Sequence, residues 1–145
     1  SVANALQRID TPSILFFLGI LIAISALQSS GLLAQFAMQL DNTFSNEHVI
    51  VTIIGLLSAI VDNVPLVAAS IGMYDLNQYP TDHSFWEFLA YMTGTGGSAL
   101  IIGTAAGVAV MGMEKITFFW YLKKMSFLAL VGCLSGAAVY LAFFT

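Results

Sequence analysis

Asp62 lies in the middle of an apolar run that carries no other charge, and a polar, helix-breaking cluster, Asn63-Val-Pro65, follows it directly. A carboxylate in hydrocarbon costs about 2.5–3.5 kcal/mol, even on scales derived from membrane insertion. Such a residue is usually buried among partners or lines an aqueous path. Beside a helix break, and four residues after the hydroxyl of Ser58, Asp62 therefore indicates an ion site.

A second polar interruption lies in the apolar run 85–112, at Thr93-Gly-Thr-Gly-Gly-Ser98. Three glycines in four positions are unfavourable inside a helix, at about 1 kcal/mol each relative to Ala. As one helix, 85–112 would be about 42 Å long, which is long for a single span. The pattern predicts a break at 94–98 that leaves carbonyl and hydroxyl groups exposed at mid-depth.

The elements that must position these groups are membrane helices. The chain is 59% hydrophobic and only 8% charged, with a mean hydropathy of +0.90, whereas soluble domains are about a quarter charged. Each long apolar run can cross a hydrocarbon core of about 30 Å. We predict an all-α, polytopic membrane protein in which 1–145 is one transmembrane unit, with apolar runs at 13–40 (a span plus a short surface helix), 47–73, 85–112 and 116–144.

Residues 49–73 allow two interpretations, either one kinked span containing Pro65 or a re-entrant hairpin. In the hairpin, residues 49–61 descend about 20 Å and residues 66–73 climb back about 12 Å. Both lengths put the tip near the middle of the bilayer. Broken backbone is tolerated there only where protein or water satisfies it.

The distribution of charge favours the hairpin. If 49–73 is re-entrant, all basic residues fall on one side, which the positive-inside rule makes cytoplasmic, and the loop acids fall on the other. If 49–73 crosses the membrane fully, Arg8 lies on the opposite side of the membrane from the lysines. The basic residues are Arg8, Lys115, Lys123 and Lys124, and the loop acids are Asp41, Glu47, Asp75 and Asp82.

Two interrupted membrane segments are the best sequence indicator of a transporter site. The end of a half-helix presents unpaired carbonyls that suit a dehydrated Na⁺, whereas the half-helix start after Pro65 favours an anion. The pattern permits either ion, and the charge of Asp62 favours a cation. The candidate ligands are Asp62, Asn63, Ser58, Thr95 and Ser98, with Thr104 as a secondary candidate; the hinge and helix-break positions are Pro65, Gly94, Gly96 and Gly97.

Catalysis has little support in the sequence. It shows no metal-ligand spacing and no nucleophile–base pair, and the glycine-rich break lacks the Lys of a phosphate-binding loop. We therefore expect no enzyme and no resident cofactor, only transported Na⁺ or Li⁺ and H⁺.

Three stretches resemble a known group, the ion transporter superfamily, and within it NhaD-type sodium/proton antiporters. They are Thr11-Pro-Ser-Ile-Leu-Phe-Phe-Leu-Gly19, the tip Val61-Asp-Asn-Val-Pro65, and Gly94-Thr-Gly-Gly-Ser98 with the following Ile-Ile-Gly-Thr-Ala-Ala-Gly107. The resemblance covers nearly the whole chain. The Asp-Asn-Val-Pro tip is the more specific of its motifs.

The resemblance implies an inverted-repeat transporter in which each repeat has a re-entrant hairpin and a broken helix. This chain would be most of the C-terminal repeat, with its C-terminus outside. Its expected partners are the lipid bilayer, the N-terminal repeat and a second copy in a homodimer, with no nucleic acid. The chain does not begin with Met, which indicates one part of something larger. We expect a bacterial inner membrane.

The function predicted from these features is Na⁺ or Li⁺ exchange for H⁺ by alternating access. Burial disfavours the charged form of a carboxylate, so Asp62 can hold a proton, and an arriving Na⁺ favours the ionised form and expels that proton. Two alternatives remain open at this point. One is a related transporter of an anion such as arsenite or a dicarboxylate; the other is a membrane scaffold subunit that does not transport.

Overall fold

The computed structural model describes residues 2–9 and 11–144, except for the side chains of residues 12, 13, 16 and 17. The predicted unit 1–145 thus includes three positions outside the described residues. The described part of the chain is helical and contains no strand. Its helices are α1 Val2–Leu6, α2 Thr11–Ser29, α3 Leu32–Thr43, α4 Glu47–Leu57, α5 Asn63–Met73, α6 Ser84–Gly96, α7 Ala105–Met113, α8 Phe118–Lys124 and α9 Ser126–Phe144, with two 3-10 turns, Gly97–Ala99 and Ile101–Gly103, between α6 and α7.

Helix α9 is long and apolar enough to cross a membrane unaided. The segments Leu18–Ser29 and Leu32–Thr43 meet the same criterion together, but they are bent by 72° relative to each other. Helices α4 and α5 are apolar and shorter. Within the described residues, length and composition therefore identify one spanning helix, or two if the bent pair counts as one span.

The bend between α2 and α3 lies where polar residues interrupt the apolar run. The hydroxyls of Ser29 and Ser30 donate to carbonyls one turn back in α2, and Gly31 adopts a φ of 77°. That left-handed conformation costs a residue with a side chain about 1–2 kcal/mol and costs Gly almost nothing. The helix therefore ends here, and α3 starts in a new direction.

Helices α4 and α6 form the centre of the core. Phe85, Phe88, Leu89 and Met92 of α6 are at most 1% exposed. Opposite them, Gly55 of α4 brings the two backbones together, because a Cβ at Gly55 would lie 2.5 Å from the Met92 Cβ. Small residues at such crossings let membrane helices approach closely.

Both helices start with a side-chain cap. The Asn46 side chain accepts a hydrogen bond from the backbone N–H of His48 at 2.8 Å, and His83 Nδ1 accepts from the backbone N–H of Phe85 at 3.1 Å. These bonds satisfy donors that a helix start leaves without a partner. They explain why α4 and α6 begin where they do.

Tyr79 lies among the ends of three helices, α4, α5 and α6. Its ring stacks on Phe85 at the start of α6, with ring centroids 4.2 Å apart, and lies 5.6 Å from the ring of Tyr74, which follows α5. Tyr79 also shares a cavity of about 310 Å³ with Glu47, the first residue of α4. The start of α4 and the end of α5 therefore lie at the same end of the molecule.

Two tyrosines at this end have altered acidity. The Tyr74 hydroxyl donates to Asp41 Oδ1 at 3.4 Å, and burial together with the Asp41 charge raises the pKa of Tyr74 well above its ordinary value. Burial, followed by the carboxylates of Glu47 and Asp41, also raises the pKa of Tyr79. Both phenols therefore stay neutral beside these acids.

Helix α9 runs antiparallel to α6. Near its end, the Tyr140 hydroxyl lies 2.9 Å from Glu87 Oε2 in the first turn of α6. Further back along α9, the carbonyl of Cys133 accepts from the Tyr91 hydroxyl at 2.9 Å. The carboxyl end of α9 thus lies beside the acidic loops. The lysines of α8, Lys123 and Lys124, precede the start of α9.

The interruption of the run 85–112 lies later than the pattern predicts. Helix α6 continues through Gly94 and ends at Gly96, and the irregular backbone extends over 97–104. Gly94 is exposed, and a Cβ there would meet nothing within 4 Å. Packing of α6 on α4 and α9 offsets the low helix propensity of these glycines, so the helix continues until Gly97.

Candidate ion site at the junction of two helix interruptions

Ser58 connects the two interrupted segments. Its side chain is fully buried, and its hydroxyl lies within hydrogen-bonding distance of two carbonyl oxygens, Gly55 at 2.6 Å and Thr93 at 3.0 Å. The first belongs to α4 and the second to the last turn of α6. The end of α4 is therefore held against α6 just before α6 ends.

Gly103 brings carbonyl oxygens of both segments to one place. A Cβ at this position would lie 2.7 Å from the Ser58 oxygen and 2.8 Å from the Ala59 oxygen, and it would also collide with the Gly97 oxygen. Main-chain oxygens from the turn after α4 and from the 3-10 region thus converge around one glycine. Oxygen donors of this kind are the ligands that hard cations prefer.

Gly96 and Gly97 also lie at this junction. Gly96 is buried because its Cα faces the Gly55 carbonyl, which a side chain would overlap. Gly97 packs against the side chain of Thr104, whose Oγ1 accepts from the backbone N–H of Gly107 at 3.0 Å. Thr104 therefore caps the start of α7 and lies beside the break.

Asp62 and Asn63 lie where α5 begins, and both are half-buried. Asp62 occupies the residue before the helix, where an Asp side chain usually accepts a bond from the first turn, but its carboxylate makes no such bond. Pro65, also half-buried, falls in the first turn, where the missing N–H costs nothing. The carboxylate is thus available to a ligand at the positive end of α5.

Thr95 and Ser98, the candidate ligands at the end of α6, do not bond to the turn that contains Ser58. The Thr95 hydroxyl donates to the Tyr91 carbonyl at 2.8 Å and lies 3.2 Å from Cys133 Sγ, so it faces α9. Ser98 is exposed, and its carbonyl accepts from the Tyr121 hydroxyl at 2.7 Å. The structure brings Ser58 to the break through direct hydrogen bonds and directs Thr95 elsewhere.

Three residues at the junction do not stand out in the sequence as site residues. Gly55 and Gly103 make the close backbone approaches, and Tyr121 holds the Ser98 carbonyl. A lone glycine in the middle of an apolar run signals close approach, which applies to Gly55. Tyr121 gives no comparable signal, because it lies in an aromatic and basic stretch typical of a membrane interface.

Among the described residues, no cluster of three or more His, Cys, Asp or Glu side chains could hold a metal ion. Zinc and other transition metals need such donors. The junction instead offers hydroxyl and carbonyl oxygens, which are ligands for alkali ions, and the Asp62 carboxylate follows Ala59 by three residues in the chain.

Comparison with known proteins shows which family the chain resembles in sequence. The profile of the citrate transporter family (CitMHS) matches residues 1–90. Sodium/proton antiporters 1 and 2 of Arabidopsis thaliana are 55% and 52% identical over 97% and 96% of this chain. The Na(+)/H(+) antiporter NhaD of Alkalimonas amylolytica is 32% identical over 97% of it.

These relatives are considerably longer than the chain, which spans 24%, 33% and 28% of their respective lengths. No solved structure matches the chain significantly. The comparisons therefore concern a region that its relatives share, within longer polypeptides.

Proposed function

Because the chain belongs to the citrate transporter family, and is thus part of a multi-pass membrane transporter, we propose that it forms most of the C-terminal repeat of a Na⁺ or Li⁺/H⁺ antiporter and contributes to its ion site. At the family level, sodium/proton antiport is the function named for the relatives reported above. One observation carries the assignment to this region: main-chain oxygens of Ser58, Ala59 and Gly97 converge around Gly103. Ser58 and Ala59 precede Asp62 by four and three residues, and Gly97 lies at the break of the other segment.

The proposed site lies at the tip of a re-entrant hairpin. Helices α4 and α5 have 11 residues each, about 16 Å in length, which is half of a hydrocarbon core of about 30 Å. Their outer ends meet around Tyr79. A chain that enters and leaves at one end and turns at half depth is what the hairpin requires, and this favours it over a kinked span.

The proposed orientation puts the C-terminus outside, as expected from the charge distribution. The end of α9 lies beside Glu87, on the side of the acidic loops, whereas Lys123 and Lys124 precede its start. A bacterial inner membrane has less support, since the two relatives with more than half of their residues identical are from a plant. The N-terminal repeat and a homodimeric assembly stay part of this proposal.

The mechanism is competition for one carboxylate. In the proton-loaded state Asp62 is neutral; Na⁺ enters among the carbonyl oxygens, the Asp62 carboxylic acid loses its proton to water, and the resulting carboxylate balances the ion's charge. Reversal on the other side of the membrane releases Na⁺ and rebinds H⁺. Asn63 and the Ser58 hydroxyl supply neutral dipoles, and Ser98 and Thr104 complete the proposed ligand set through main-chain oxygens. Thr95 is left out of this set, because its hydroxyl faces α9. Movement of one repeat against the other alternates access.

The test is substitution of Asp62 in the complete transporter, reconstituted in vesicles that contain a pH-sensitive dye. Asp62→Asn should reduce sodium-dependent proton release to the background rate, because an amide cannot exchange a proton for Na⁺. The matched control is Asp82→Asn, the same chemical change at an exposed loop position, which should leave the rate within about twofold. Undiminished exchange by Asp62→Asn would reject the role assigned to this carboxylate.

The description of the matching family favours a second candidate, transport of a carboxylate anion such as citrate or a dicarboxylate. Helices α5 and α7 both start within a few residues of the junction, and helix N-termini attract anions. Anion uptake that continues when choline replaces sodium, and that Asp62→Asn does not affect, would favour this candidate. The other alternative is a membrane scaffold subunit that does not transport. For such a subunit, sodium should not raise the thermal stability of the purified protein.

A further inference from the structure

Tyr121 differs from its neighbours in α8. Phe119 and Trp120 are 68% and 49% exposed, as aromatic residues at a membrane interface usually are. Tyr121 is half-buried, and its hydroxyl donates to the Ser98 carbonyl at 2.7 Å. One residue of this aromatic stretch therefore reaches the interrupted segment 23 positions earlier in the chain.

The acceptor is at a point where the helix no longer provides donors. Ser98 lies in the 3-10 turn Gly97–Ala99, just after α6 ends. Carbonyls at a helix end lack the i+4 partner that the interior provides and need another donor. The phenol of Tyr121 is such a donor, and its distance to the oxygen is typical of a strong O–H···O bond.

Tyr121, Ser98 and Thr104 also line one cavity of about 250 Å³, together with Gly97 and Gly107. This cavity lies on the α8 side of the break, and Gly97 contributes one of the oxygens that converge around Gly103. The bond between Tyr121 and Ser98 therefore orders the stretch of backbone that presents those oxygens.

We propose that Tyr121 is a positioning residue for the ion site: its hydroxyl fixes the Ser98 carbonyl and so holds the Gly97–Ala99 turn in the conformation that binds Na⁺. This inference rests on the proposed function. Tyr121 does not touch the ion; it lowers the cost of ordering the turn when the ion binds. Helix α8 is thereby coupled to the site although it is not part of it.

The test compares two conservative substitutions in the complete, reconstituted transporter. Tyr121→Phe removes only the hydroxyl, and it should raise the KM for Na⁺ by about two- to tenfold, the equivalent of one neutral hydrogen bond, with kcat within twofold. The control is Tyr91→Phe, which removes a similar phenol–carbonyl bond, to Cys133 at 2.9 Å, away from Ser98. It should leave the KM unchanged.

Hydrogen exchange provides a second readout that does not depend on transport. In Tyr121→Phe, the amides of residues 98–104 should exchange severalfold faster than in the wild type and in Tyr91→Phe, because the turn has lost its tether. Unchanged hydrogen exchange in Tyr121→Phe would show that the Tyr121 hydroxyl does not order this turn. Faster exchange with an unaltered KM, or an equal rise in KM for both variants, would overturn the positioning role.

Failure of this inference is distinguishable from failure of the proposed function. If Asp62→Asn abolishes exchange while Tyr121→Phe has the wild-type KM, the antiport proposal stands and the role of Tyr121 is rejected. If Asp62→Asn retains full exchange, the assigned ion site is rejected first, and the role of Tyr121 in Na⁺ binding is rejected with it.

Discussion

The two halves of the interrupted segment differ sharply in how they are packed. In α6, Phe85, Phe88 and Met92 are completely buried, whereas α7 has no buried residue. Gly55, Gly96 and Gly103 each face backbone atoms at distances that no side chain would permit, while Gly112 of α7 has nothing within 4 Å of a Cβ position. Helix α6 is thus held in place by contacts with α4, within this chain. Helix α7 has few such contacts, and its surface is free to contact lipid or another part of the transporter.

The largest effect expected from this difference is on substitution of Gly55. Gly55→Ala places a methyl group 2.5 Å from the Met92 Cβ and 2.9 Å from its carbonyl carbon, so α4 and α6 must move apart, at a cost of about 1–3 kcal/mol. Thermal unfolding of the detergent-purified transporter measures the loss. Gly112→Ala, in α7, should be neutral or stabilise by up to about 1 kcal/mol. Equal unfolding temperatures for the two variants would break the comparison.

A smaller effect is expected at Ser58. Ser58→Ala removes the donor shared by the Gly55 and Thr93 carbonyls, and we expect a loss of about 1 kcal/mol. The matched control is Ser135→Ala in α9, where the hydroxyl donates to the Val131 carbonyl at 2.6 Å on an exposed face. If Ser135→Ala were as destabilising as Ser58→Ala, burial at the junction would not be the reason.

The smallest effect concerns the outer end of the packed half, at high pH. Burial and the Asp41 carboxylate raise the pKa of Tyr74 in the folded state, so the folded protein holds this proton more tightly than the unfolded chain does. The resulting stabilisation is fully present below the pKa of an unperturbed tyrosine, about 10, and is lost as the pH rises beyond it. The unfolding temperature should therefore fall less steeply between pH 9 and 11 in Tyr74→Phe than in the wild type. Parallel curves for the two proteins would contradict the assignment of this stabilisation to Tyr74.

The sequence predicts the class of fold well, because composition and the lengths of apolar runs are local properties. The absence of strands from the described residues and the membership of a transporter family agree with those predictions. Asp62 and Ser58 are apparent because a charge or a hydroxyl in an apolar run has few structural uses.

The arrangement of the junction could not be predicted in the same way. Whether Thr95 faces the break or α9 depends on the rotation of α6, which the contacts of Gly55 with Met92 and of Thr95 with Cys133 determine, and these contacts are distant in sequence. The break lies at 97–104 and not at 94–98 because tertiary packing overrides the propensity of Gly94. In the sequence, nothing distinguishes Tyr121 from its aromatic neighbours; only the fold shows that its hydroxyl reaches the Ser98 carbonyl.

The sharp turn at Gly31 has a mechanical consequence for the hairpin. Helix α5 packs against α2 and also against α3, and Gly72 touches Leu33 and Gln28 on either side of that turn. No rigid displacement of α5 along its axis preserves both sets of contacts, because the two supporting helices point in directions 72° apart. Relative to α2 and α3, Asp62 can therefore move along the α5 axis only if α5 slides off one support, or if the angle at Gly31 opens with it.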